Sequence, residues 1–109
     1  MVDYNSEVKK MLAAHKFLLF SASWCPDCRY ANAVFKKLGV LGEIHDFDIG
    51  SLPTKDQQEW RSAFQKVTGS RNLPTLYVNG SFWGTEDHLH RLESTDALEK
   101  EFSKIGLLK

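Results

Sequence analysis

Apolar positions recur along this chain with two periods, and their alternation predicts a mixed order of helices and strands. Residues 5–15 carry Val8, Met11, Leu12 and His15 at helical spacing, with one apolar face. Ser6 has the type and place of a helix cap. Residues 16–22, KFLLFSA, form a short apolar run of the kind found in a buried strand. Ala31, Val34, Phe35 and Leu38 return to helical spacing, and Gly39 supplies a stop. Residues 43–49, EIHDFDI, hold Ile44, Phe47 and Ile49 in imperfect alternation and predict a second strand.

Thr54 and Gln57 have the spacing of a capping box, with Pro53 just ahead. Trp60, Ala63, Phe64 and Val67 then line one helical face up to Gly69, and Trp60 and Phe64 read as core residues. Residues 75–79 predict a strand, Asn79-Gly80 a hairpin turn, and residues 81–84 the partner strand. Leu89, Leu92, Leu98, Phe102 and Ile105 make a helical tail, with a break near Ser94-Thr95. Strand–helix–strand units imply a parallel start to the sheet, and the hairpin adds an antiparallel edge. The expectation is an α/β chain with a mixed four-stranded sheet and helices on both faces. Its length suits a single domain over residues 1–109.

Charge narrows the partners. Fourteen basic residues balance fourteen acidic ones, so no global field draws the chain to nucleic acid or to an anionic membrane. No apolar run approaches the roughly 18 residues of a membrane span. The N-terminus, MVDYNSEVKK, lacks the basic-then-apolar order of a secretory signal and the Arg-rich start of a transit peptide. A cytoplasmic protein is expected, with the nucleus open by diffusion. Nothing in the pattern demands a dimer, so a monomer is expected.

The candidate chemistry lies in Cys25-Pro26-Asp27-Cys28, which holds both cysteines of the chain. A disulfide scaffold would use more of them, spread along the sequence. Two close thiols point to redox chemistry; inert core thiols and half of a zinc site are the other readings. No two histidines stand at zinc-finger spacing, and His88 and His90 are too close, so no metal site is expected. Cys25 follows a predicted strand where the next helix begins. The unpaired N–H groups of that helix start carry partial positive charge and favour a thiolate. Pro26 falls at about the first helical position, where its missing N–H costs nothing. Cys28 is carried round one turn to face Cys25. Cys25 is thus the expected nucleophile toward a disulfide, and Cys28 the resolving thiol that releases the reduced product.

With Leu73-Pro74-Thr75 before the third strand and Gly80 to Asp87 around the hairpin, this motif resembles the glutaredoxin branch of the thioredoxin superfamily over nearly the whole chain. The resemblance implies a thioredoxin-like fold, with Pro74 cis and beside the cysteines. It implies that the backbone of Leu73 pairs with glutathione or an extended substrate. It also implies a glutathione-dependent thiol–disulfide oxidoreductase that binds no tight cofactor and uses glutathione as co-substrate. Its partners would be disulfide-containing or glutathionylated proteins.

Several residues depart from the family pattern. Position 27 is often tyrosine; Asp27 disfavours the neighbouring thiolate and repels anionic glutathione. Ala22 stands where many relatives have a lysine. Thr85 follows Gly84 in place of a second glycine, and Asp87-His88 aligns with the pair that grips the γ-glutamyl end. Arg61 aligns with a residue that holds the glycyl carboxylate, which a guanidinium can grip bidentately; an exposed helix arginine is the plainer reading. Glutathione binding is therefore expected to be weak and activity low. Trp24 before Cys25 is thioredoxin-like and reads in part as a substrate-facing lid and in part as an aromatic half-covering the strand end, yet Leu19 stands where thioredoxins carry a buried aspartate. A disulfide reductase fed by thioredoxin reductase is thus the alternative. A glutathione-ligated iron–sulfur cluster protein is the more distant one, because Pro26 stiffens the loop and Cys28 offers a competing disulfide. Trp83 packs on the sheet or borders the groove, and the sequence leaves both open.

Overall fold

The computed structural model describes residues 2–109. β1 (Phe17–Ser21) is buried at every position, which places it inside the sheet with cover on both faces. It pairs in parallel with β2 (His45–Asp48) and antiparallel with β3 (Thr75–Val78). β3 in turn pairs antiparallel with β4 (Ser81–Thr85), giving the order β2-β1-β3-β4. The hairpin between them turns at Asn79 and Gly80, with φ of 53° and 80°. Two successive positive φ values give the turn whose twist matches a hairpin, and Asn-Gly is the pair that tolerates them.

Side chains alternate along β1 and feed two cores. Phe17 and Leu19 pack with Ala31 and Phe35 of α2 (Pro26–Lys37), Leu89 of α4 (Glu86–Ser94) and Phe102 of α5 (Leu98–Lys104). Leu18 and Phe20 pack with Val8 of α1 (Tyr4–Ala14) and with Ala63 and Phe64 of α3 (Thr54–Thr68). The Phe20 and Phe64 rings stack at 3.9 Å, and Trp60 meets Tyr4 and Phe47 edge-on. This aromatic seam fixes α1 and α3 on one face; truncating Phe64 to alanine removes about 3–5 kcal/mol. Trp60 and Phe64 are the core residues their spacing predicts.

Three local expectations are corrected. The first helix is capped by Asp3, whose carboxylate accepts the Ser6 N–H at 3.2 Å and the Ser6 hydroxyl at 2.9 Å, so Ser6 lies inside the helix. A 3-10 turn over Leu41–Glu43 takes the start of the expected second strand, which is only His45–Asp48. The capping box at Thr54 and Gln57 does not form, because Pro53 occupies the cap position and Thr54 is already helical. The break in the tail is present: Asp96, between α4 and α5, has a φ of 55°. Among the described residues no helix is long and apolar enough to cross a membrane.

Candidate active site

Cys25 is the N-cap of α2, in extended conformation, and Pro26 opens the first turn. Its N–H donates to the Ala22 carbonyl at 2.9 Å, and its carbonyl accepts the Arg29 N–H at 3.1 Å. These two bonds hold the Cys25 backbone at the helix start. The Cys25 Sγ lies 3.8 Å from the Leu73 carbonyl oxygen, and the Leu73–Pro74 peptide bond is cis. The sequence separates these residues widely; the antiparallel pairing of β1 with β3 brings them to one end of the sheet. Cys25 is 8% exposed and Cys28 is 1% exposed, and both are free thiols.

The two thiols differ in setting. Cys28 faces the sheet and its Sγ accepts the Ala22 N–H at 3.4 Å. Burial pushes its thiol up to about 12; the Ala22 N–H works against that, while Cys25 and the charge of Asp46 add to it. Cys28 is thus held as a neutral thiol beneath Cys25.

The loop leading into the motif is clamped from β2. The Asp48 Oδ1 accepts the N–H of Ser23 and that of Gly50, each at 2.8 Å. A Cβ on Gly50 would stand 2.6 Å from the Ser23 nitrogen, so glycine is required for this approach. Trp24 is 51% exposed above the cysteines' loop, and its indole N–H donates to the Gln57 side-chain oxygen at 3.1 Å. The Gln57 amide in turn donates to the Leu52 carbonyl at 2.8 Å. Asp48 and Gln57 carry the loop, and sequence reading missed both.

The remaining expected residues fall as follows. Asp27 is exposed in the first turn of α2. Ala22 is fully buried and serves through its backbone. Arg61 is partly buried, and its Nε donates to the Arg71 carbonyl at 3.1 Å, tying α3 to the loop before Leu73. Asp87 is exposed and lies 3.8 Å from the Arg91 Nε one turn along α4. Trp83 packs on the sheet: its ring stacks on His88 at 4.2 Å and meets Phe102 at 5.9 Å. Gly84 is needed there, because a Cβ would stand 2.4 Å from the His88 Nδ1. Among the described residues no group of three His, Cys, Asp or Glu side chains gathers as a metal site.

Known proteins share this arrangement. The chain is 55% identical to glutaredoxin-8 of Saccharomyces cerevisiae over 108 residues, 99% of each chain. The solution structure of the yeast dithiol glutaredoxin Grx8 superposes on all of both chains with a TM-score of 0.91 and 54% identity. Oxidised glutaredoxin 2 of Chlamydomonas reinhardtii gives a TM-score of 0.76 at 25% identity, over 97% of this chain and 96% of that one. The fold is thioredoxin-like. The sequence model of glutaredoxins matches residues 17–83, from β1 through the cysteine pair and the cis proline into β4, and the chain belongs to the glutaredoxin family.

Proposed function

We propose that the chain is a dithiol, glutathione-dependent thiol–disulfide oxidoreductase acting on protein disulfides or glutathione mixed disulfides. Glutaredoxins are thiol–disulfide oxidoreductases as a family, and the observation that carries the finer reading is the Cys25 Sγ. It belongs to the residue at the N-cap position of α2 and lies beside the Leu73 carbonyl, and Cys28 in the next turn is buried. In this reading Cys25 attacks a substrate sulfur, forming a mixed disulfide and releasing one thiolate. Cys28 then attacks Cys25, the Cys25–Cys28 bond forms, and the second substrate sulfur leaves reduced. Two glutathione molecules return the pair to the dithiol.

Arg61 and Asp87 are the proposed contacts for the two ends of glutathione. The Arg61 Nε is committed to the Arg71 carbonyl, which leaves its terminal nitrogens to a glycyl carboxylate. Asp87 suits the γ-glutamyl ammonium. Asp27 and Ala22 supply no cation where the tripeptide is anionic, so capture is weak and turnover low. The exposed Trp24 favours a second reading, in which thioredoxin reductase is the electron donor. Incubating the oxidised protein with glutathione plus glutathione reductase, and separately with thioredoxin reductase, separates the two. Reduction by the first system is expected; reduction by the second alone would replace glutathione as donor.

A further inference from the structure

The segment between α3 and β3 brings Leu73 beside Cys25, and a chain of hydroxyl groups holds it there. Thr75, the first residue of β3, is fully buried, and its hydroxyl donates to the Asn72 carbonyl at 2.7 Å. The buried Ser70 hydroxyl stands 3.3 Å from that of Thr75. A hydroxyl has one proton to donate. Thr75 gives its own to Asn72, so Ser70 is the donor between the two. The Ser70 oxygen in turn accepts the Asn72 N–H at 3.4 Å. Both backbone groups of Asn72 are therefore tied to this pair of side chains.

The same count continues into α3. The Thr68 hydroxyl donates to the Phe64 carbonyl at 2.7 Å, closer than the Ser70 carbonyl at 3.3 Å. Its oxygen is then the acceptor for the Tyr77 hydroxyl at 2.8 Å and for the Ser70 N–H at 3.2 Å. Arg71 is held separately, by the Arg61 Nε on its carbonyl and by its own guanidinium on Gln58 and Gln65. Leu73 is the exception. Among the described residues neither its N–H nor its carbonyl enters a backbone–backbone hydrogen bond, and the carbonyl lies 3.8 Å from the Cys25 Sγ. The residues before it are fixed, and its own backbone stays open to a bound chain.

We infer that Thr75 is a positioning residue: through Asn72, and with Ser70, Thr68 and Tyr77 behind it, its hydroxyl sets the Leu73 backbone where a substrate's peptide backbone can align its sulfur on Cys25. The inference rests on the glutathione reading above and on the pairing of Leu73 with the substrate backbone. Thr75 touches neither the substrate nor the reacting sulfurs. Its effect is to order Leu73 before substrate arrives, so that binding does not have to. A disulfide with a peptide backbone gains from that order. A disulfide without one does not.

The test compares two such disulfides. In a Cys28→Ser background each reaction stops at the first exchange: Cys25 attacks one sulfur, a mixed disulfide forms, and the other sulfur leaves as a thiolate. Oxidised glutathione presents a peptide backbone, and dithiobis(nitrobenzoate) presents none. Thr75→Val keeps the branched shape and removes the hydroxyl. It is expected to slow exchange with oxidised glutathione about 5-fold or more, as misplacing a reacting group does, and to leave exchange with dithiobis(nitrobenzoate) within about 2-fold. Thr75→Ser, which keeps the hydroxyl, should recover most of the glutathione rate. Ser70→Ala, outside the strand, should act in the same direction more weakly, and it carries the test if Thr75→Val does not fold. Equal losses with both disulfides, no loss with oxidised glutathione, or a serine variant as slow as the valine one overturns the assignment. If the Cys28→Ser chain with Thr75 intact reacts with dithiobis(nitrobenzoate) but not with oxidised glutathione, the glutathione reading fails, and this inference with it.

Discussion

The Trp24 indole N–H and the Gln57 side-chain oxygen meet at 3.1 Å, joining the residue before Cys25 to α3. Gln57 also donates to the carbonyls of Gly50 and Leu52, so one amide ties three segments together. Gln57→Ala cuts all three. The expected cost is about 1–2 kcal/mol, since the bonds are partly solvated, read as a lower urea midpoint. The Trp24 indole proton, followed by NMR, should exchange faster with solvent in the variant. An unaltered exchange rate would mean that Gln57 does not hold the indole.

Asp48 clamps the same loop from the other side. Its Oδ1 takes both the Ser23 and the Gly50 N–H, and Asp48→Ala leaves the two donors without it. Loss of about 1–3 kcal/mol is expected, together with lower disulfide reductase activity as the loop before Cys25 loosens. Asp48→Asn keeps the accepting oxygen and should fall between the natural chain and the alanine variant. Equal losses for asparagine and alanine would show that the charge matters and the two hydrogen bonds do not.

Much of this site is legible in the sequence, and the exceptions have physical reasons. Cys25, Cys28 and Leu73-Pro74 are readable because a motif and an apolar period locate them together. Trp83 is ambiguous in the sequence because a hairpin aromatic faces either way until the sheet is built; its stack on His88 settles it. Gln57 reads as a capping partner, but Pro53 takes the cap and frees the amide to reach Trp24. Asp46 and Asp48 alternate with apolar residues and look like the solvent face of a strand. Only the register of β2 against β1 sets them beside Ser21 and the loop before Cys25.

Gly84 and His88 make a pair whose coupling can be measured. A methyl group at 84 would press on the His88 ring and lift it from Trp83. Gly84→Ala is expected to cost about 1–3 kcal/mol, the usual penalty for overpacking. Adding His88→Ala removes the obstruction, so the double variant should be more stable than the sum of the single losses implies. Strict additivity in thermal unfolding would place the strain of Gly84→Ala elsewhere.

Asp27 sets a charge on the exposed first turn beside Cys25. Replacing it with tyrosine, or with asparagine to remove only the charge, should raise the glutathione-linked rate. A gain of about 2–5-fold is expected, as exposed charges contribute modestly. The gain should shrink as salt is added, because screening weakens the repulsion that the natural residue exerts on glutathione. A tyrosine variant with no gain at low salt would mean that Asp27 does not limit glutathione access.

Asp46 also predicts how stability changes with pH. Its carboxyl is held above the ordinary aspartate range, chiefly by partial desolvation at the sheet edge, with the charge of Asp48 adding to it. A carboxyl with a higher pKa folded than unfolded binds more protons when folded, across the interval between the two values. Stability therefore falls as pH rises through that interval, and the loss is complete above it. Asp46→Asn removes the ionisation and keeps an oxygen for the Ser21 hydroxyl. The variant should be the more stable chain at neutral pH, by under about 1 kcal/mol because the sheet edge is open to water. That advantage, seen as a rise of a few degrees in Tm, should vanish below about pH 4, where the unfolded-state carboxyl is protonated too. A Tm difference that stays constant from acid to neutral pH would mean that folding does not raise this carboxyl.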